Sequence, residues 1–454
     1  MRDIRKMKKM RYKAMLIFII ICFINRVSAS ENILDPFEVI EEARRLSSEP
    51  LWPAYDPSVI PAALYDGKNT YLFNHPQPPE GFNVLDRPEN VWVYEGRYPV
   101  IVGHSMFDIG GVMTAGVLLD LLKGRSIREA AAILLHEKFH VFQMKNHPNW
   151  MPNAVDQFIY PFEDVDHYAL VRLEVEALRH ALLSKTSQDK ACWASVAAEL
   201  RDMRFEKLED KFVVYERGNE LLEGLAMNIE YSAAGKNPVD SFPKEGFSPE
   251  NMRIRTYFTG LAMASLLSLF HPGWEHDIEA GKYDYLDQLF KDKFSGRKSN
   301  CGFSDEDEKS ALEDAEAAVK NFLKKKSDMK KEFFSQEGFT VVIISEKMPL
   351  QPAGFDPMNV TSLSKEEILH YRFLRLKNSL GSLEVMNLKS LSEGCGEHPL
   401  FNGVCKLTVA GFSSKPSVFE SEGKLIIKSE GFTAEFEKAK FEIADAVLKV
   451  TLIE

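Results

Sequence analysis

His136-Glu137-Lys138-Phe139-His140 is an H-E-x-x-H motif inside a strongly helical stretch. Histidines four residues apart on a helix share a face, so both imidazoles can meet one Zn²⁺. Glu137, directly after the first histidine, reaches the water on such a metal, where a general base is needed. Ser126-Ile127-Arg128-Glu129 is an S-x-x-E capping box, which predicts a helix start. Ala130, Ala131, Ile133, Leu134 and Leu135 carry that helix forward, and Phe139, Val141 and Phe142 extend its apolar content past the motif. The motif constrains the fold because zinc needs a third protein ligand, with its fourth position left open to water. Another part of the chain must therefore bring an acid to this helix.

Two downstream glutamate clusters compete for that place. One is Glu174-Val175-Glu176-Ala177-Leu178; the other runs from Glu220 through Leu222-Glu223-Gly224-Leu225-Ala226 to Ile229-Glu230-Tyr231. The glutamate that does not bind metal is a candidate to orient a histidine by accepting its other ring N–H, a role Glu230 can also fill.

At these residues the chain resembles the gluzincin metallopeptidases, including the aminopeptidase-N-like branch. There a W-L-N-E-G-F-A-x-Y stretch follows H-E-x-x-H and its E-G glutamate is the third zinc ligand. Leu222 to Ala226 and Ile229-Glu230-Tyr231 look like that stretch, and Tyr257-Phe258-Thr259-Gly260 is similar to the family's Y-x-K-G element. The resemblance covers about residues 120 to 275. It implies His136, His140 and Glu223 as zinc ligands, Glu137 as catalytic base, and Tyr257 as donor to the oxyanion. Glu174 remains the alternative third ligand, since Glu174 to Ala177 resembles the E-x-x-A part of another gluzincin pattern, with Leu178 in place of its aspartate. Between His140 and Glu223 lie 82 residues, more than in the aminopeptidase-N branch; Thr259 replaces the lysine, and no G-A-M-E-N-like segment is present. Aminopeptidase specificity is therefore not implied.

The first 29 residues read as a secretory signal: a basic start, an apolar run from Ala14 to Ile24, and Val27-Ser28-Ala29 as cleavage site. The run is too short to span a bilayer comfortably, and no second stretch is long enough. Without this segment the formal charge goes from −11 to −18. So acidic a chain is a poor binder of nucleic acid or anionic membrane. Of the five cysteines, Cys22 lies in the signal segment; the four that remain, an even number in an exported chain, suggest disulfides, and we pair Cys192 with Cys301 and Cys395 with Cys405. A secreted or periplasmic location follows.

The fold class expected is α+β. Residues 30–113 read as a mixed segment in which Val91 to Tyr94 and Tyr98 to Val102 are strands, one of them a candidate edge strand beside the zinc helix. Residues 114–300 read as a helical catalytic region. Residues 301–337 read as a charged linking helix whose order of acids then lysines suits the macrodipole. From 338 to 454 the period changes to two, as in an antiparallel, sandwich-like β domain. Together these features predict an exported zinc hydrolase acting on peptides or proteins. The alternative is a non-catalytic binding or scaffold protein that retains a structural or vestigial zinc site.

Overall fold

A computed structural model describes residues 34–86, 90–243, 246–296, 300–356 and 359–453. The signal segment at 1–29 lies outside the described residues. Helices fill most of the chain from Ile127 to Phe334, and strands follow from Phe339 to Leu452. The chain divides into two compact units.

The first unit comprises residues 34–151, Leu221–Asp240 and Gly273–Lys282. Its sheet has the order β3-β4-β2-β1-β6-β5. The strands are β1 (Ala62–Tyr65), β2 (Asn69–Phe73), β3 (Asn83–Val84), β4 (Val91–Glu95), β5 (Ser105–Ile109) and β6 (Val112–Leu118). Helix Ile127–Asn146 packs on β5 and β6 and against helices Pro36–Leu46 and Leu225–Ala234. Its capping box forms as expected: Glu129 N–H donates to Ser126 Oγ (3.2 Å) and Ser126 N–H to Glu129 Oε2 (3.0 Å). The helix is buried almost all round between Ala130 and Gln143, as a helix enclosed by a sheet and two other helices must be. Phe139 stands edge-on to Trp52 and Tyr55, and Tyr55 Oη donates to the Leu135 carbonyl (2.9 Å).

Two strand expectations need correction. β4 lies between β3 and β2 rather than at the edge beside the helix. Residues 98–102 form a turn, with Ile101 N–H donating to Tyr98 O (3.0 Å); Pro99 inside it has no N–H for a strand ladder. The strand beside the helix that ends the sheet is β5, which the sequence did not reveal.

The second unit comprises Pro152–Glu220, Ser241–Pro272 and residues 283–453. Its helices Val165–Leu183, Ser187–Phe205, Asp210–Asn219 and Met252–Phe270 enclose a buried charge network. Glu174 bridges Arg201 (2.7 Å) and Arg204 (2.7 Å); Arg201 also grips Glu220 with both terminal nitrogens (2.6 and 2.7 Å). Arg204 and Arg255 meet Glu216 at 2.7 and 2.6 Å, and Thr259 Oγ1 donates to Glu220 (2.5 Å). Tyr160 donates to Glu216, and its hydroxyl also meets His167 Nε2 (2.8 Å). Three guanidinium and three carboxylate groups, all within 3 % of complete burial, balance one another. Such a set is costly to desolvate but far costlier to break, because removing one member strands its partner's charge.

The C-terminal strands are β7 (Phe339–Ile344), β8 (Gln351–Phe355), β9 (Val360–Ser362), β10 (Glu367–His370), β11 (Phe373–Asn378), β12 (Gly381–Met386), β13 (Ser390–Gly394), β14 (Val404–Phe412), β15 (Ser417–Ser421), β16 (Lys424–Ser429), β17 (Phe432–Phe436), β18 (Ala439–Ala444) and β19 (Val447–Leu452). They form two sheets, ordered β18-β19-β7-β14-β13-β10-β9 and β15-β16-β17-β12-β11-β8. Alternate residues such as Val341, Ile343, Leu374, Leu376, Phe432 and Phe436 share one core, which makes the pair a sandwich. Pairing is antiparallel except between β19 and β7, which run parallel. The charged helix Asp305–Phe334 ends by burying Phe333 with Leu369 and Leu391. Disulfides Cys192–Cys301 and Cys395–Cys405 are both present, in the pairing expected. No helix among the described residues is long and apolar enough to cross a membrane.

Candidate metal centre

On helix Ile127–Asn146, His136 and His140 turn their Nε2 atoms toward each other, 3.0 Å apart. Glu223 approaches the same point, its Oε2 lying 3.3 Å from His140 Nε2 and 3.8 Å from His136 Nε2. All three side chains are buried. The group, three possible ligand atoms within 4.8 Å of one another, could hold a metal ion. Zinc bonds of 2.0–2.1 Å at tetrahedral angles put neighbouring ligand atoms about 3.3 Å apart. The three spacings bracket that value, so the donor set fits the ion.

Glu223 arrives from a wide π-helical turn, Glu220–Gly224, that runs into helix Leu225–Ala234. π turns often mark functional positions in helices, because one extra residue re-aims the side chains. Glu230 follows Glu223 by seven residues, two helical turns, and so shares its face. Its Oε2 lies 3.3 Å from His136 Nδ1, in an ion-pair contact out of line for a hydrogen bond. His140 Nδ1 meets Gln143 Oε1 (2.9 Å), and Gln143 Nε2 donates to the carbonyls of Leu221 (2.9 Å) and Leu222 (3.1 Å). Gln143 thus fixes the tautomer of His140, with Nδ1 protonated and Nε2 free to ligate, and ties the ligand helix to the π turn. Arg128 donates to Ala233 O (3.0 Å) and Lys236 pairs with Glu129 (3.0 Å), docking the following helix on the first turn of the ligand helix. That following helix ends at Gly235 in the left-handed conformation (φ 67°).

The centre's electrostatics call for a cation. Burial works against charge on His136, yet the carboxylates of Glu223, Glu230 and Glu137 overcome it and hold the imidazole up at about 10. Burial likewise opposes charge on Glu223, but the two histidines keep its carboxyl well below the usual range. Burial pushes the Glu137 carboxyl up. Three acids face two imidazoles, a surplus of negative charge that suits a bound cation.

Glu174 is not part of this group. It belongs to the other unit, and Arg201 and Arg204 occupy its two carboxylate oxygens. The carboxylate is committed to two buried guanidiniums, and the donors that gather with the histidines are completed by Glu223, not Glu174. Tyr257 is half-buried on helix Met252–Phe270, also in the other unit, with the Arg253 guanidinium 5.9 Å from its ring. Its assignment to the oxyanion rests on the resemblance alone.

Sequence reasoning missed Gln143, although its place one turn beyond His140 could have marked it. It also missed His104, whose Nδ1 accepts from Leu118 N–H (3.2 Å), leaving the proton on Nε2. Burial lowers the His104 pKa, and the charges of Asp120, His136 and Glu230 all act on it. No family model, curated protein or solved structure matches the chain.

Proposed function

We propose that the protein is an exported zinc-dependent hydrolase acting on peptide bonds, of the gluzincin kind. The observation that carries this reading is the convergence of His136, His140 and Glu223 on one point, with Glu137 buried beside it. Bound zinc would supply Lewis acidity, activating water and polarising a carbonyl. His136, His140 and Glu223 would hold the ion, with Gln143 and Glu230 orienting the imidazoles. Glu137 would accept the proton of the attacking water on its carboxylate and hand it to the leaving amine. Burial, which favours the protonated form of Glu137, suits the second half of that task. β5, last in its sheet and packed beside the ligand helix, offers an edge on which an extended peptide backbone can pair. Two disulfides accord with an oxidising compartment outside the cytoplasm.

The test combines metal analysis with digestion of a mixed peptide pool. One equivalent of zinc, chelator-sensitive cleavage, and loss of about 10²–10⁴-fold in rate in Glu137→Gln with zinc retained are the results expected. Full zinc with no cleavage of any peptide would favour a scaffold with a structural zinc site. Glu137→Gln at native rate would remove Glu137 from the mechanism.

A further inference from the structure

Within the second unit lies a cavity of about 460 Å³. Its walls are the short turn Ala154–Ile159, helix Asp305–Phe334 and the ends of β8 and β9. Phe158, Phe162, Phe322, Phe355 and Phe401 line it, and four of the five are only partly buried. The volume is within the roughly 300–1,000 Å³ range of small-molecule sites, which are mostly apolar with a few placed polar groups. The walls are pinned: Ser362 Oγ donates to the Phe158 carbonyl (2.9 Å), and His398 Nε2 meets the Val155 carbonyl (3.2 Å). A space held open in this way is pre-formed for a ligand rather than a gap awaiting collapse.

Lys326 makes it more than an apolar hollow. This lysine lines the cavity at 8 % exposure, its ammonium 4.4 Å from the Phe322 ring centroid. Its ion-pair partner, Glu163, lies 3.7 Å away and is itself exposed to solvent. An ammonium has three protons to donate, and one long ion pair leaves capacity for a closer acceptor. The other charged groups on the lining are Arg253 and Glu250, and Glu250 is paired with Lys325 at 3.1 Å. The lining itself thus carries two cations, Lys326 and Arg253, against the one carboxylate of Glu250. We infer that this cavity binds an apolar monocarboxylate, its acyl or aryl body among the phenylalanines and its carboxylate on Lys326. This site is separate from the metal centre and does not depend on the hydrolase reading.

The test is calorimetric titration of the full protein with octanoate, 3-phenylpropanoate, 1-octanol and octylammonium. Octanoate or phenylpropanoate should saturate one site, and the tighter of the two tells an acyl from an aryl ligand. Octanol should bind at least about ten-fold more weakly, the worth of a charge-assisted hydrogen bond, and octylammonium should not bind. Lys326→Met should bring the carboxylate down to the affinity of octanol, and Phe355→Ala should weaken both. Absence of saturable carboxylate binding, octanol binding as tightly as octanoate, or full affinity in Lys326→Met would overturn the inference. The comparison of ligands on the unaltered protein stands even if a variant fails to fold.

Discussion

His140 and Gln143 lie one turn apart on the same helix, and the 2.9 Å contact from His140 Nδ1 to Gln143 Oε1 is the first link of a chain that ends on the π turn bearing Glu223. One amide side chain orients a ligand with its oxygen and anchors the segment of another ligand with its nitrogen. Gln143→Ala should therefore lower zinc affinity by about 10–100-fold, the usual effect of losing such a support. Gln143→Glu should restore the contact to Nδ1 but lose both carbonyl contacts. Competition with a chromophoric chelator measures both, and native affinity in Gln143→Ala would remove this link.

Ligand identity can be read from metal content. His136→Ala, His140→Ala and Glu223→Ala should each lose zinc. Glu174→Ala should keep it, while costing roughly 3–5 kcal/mol of stability because Arg201 and Arg204 would be left buried without it. Metal analysis and thermal unfolding of the same four samples separate the two effects.

Acid should weaken the second unit through His370. Burial holds its imidazole at about 3, against an ordinary 6.5, with Nε2 on Ser392 Oγ (3.0 Å). As pH falls from 6.5 toward 3 the unfolded chain takes up a proton here that the folded chain refuses, so stability falls over that window. His370→Gln removes the titration, and its stability should decline less steeply than the native protein's across the window. Parallel slopes for the two in denaturant titrations at several pH values would refute this.

Reducing Cys192–Cys301 should destabilise more than reducing Cys395–Cys405. The first closes a separation of 109 residues and the second one of 10. Chain entropy makes the longer loop worth about 5 kcal/mol. The variants Cys192→Ser and Cys395→Ser, each made with its partner, give the comparison by chemical denaturation.

What the sequence made legible was local. Ser126 and Glu129 announce a helix start within four residues, and the alternation around Val341, Ile343, Leu374 and Leu376 announces strands buried on one face. What it hid depends on distant partners. Glu174 looks like a ligand in isolation, and only the approach of Arg201 and Arg204 from the next helix makes it an ion-pair partner. β5 has too little alternation in Ser105–Ile109 to stand out, and Pro99 turns an apparently strand-like run into a loop. The parallel pairing of β19 with β7 joins segments over 100 residues apart, which no local period encodes.

The wide turn at Glu220–Gly224 leaves the centre open to a change that touches no ligand. Removing a single amino acid there, ahead of Glu223, would restore a regular spiral and draw Glu223 out of the position in which Gln143 holds its turn. The two histidines would then lose the carboxylate that faces them. A length change of one codon is thus a more complete off-switch than most point mutations in the motif, and any drift of this chain toward a metal-free descendant has that short path available.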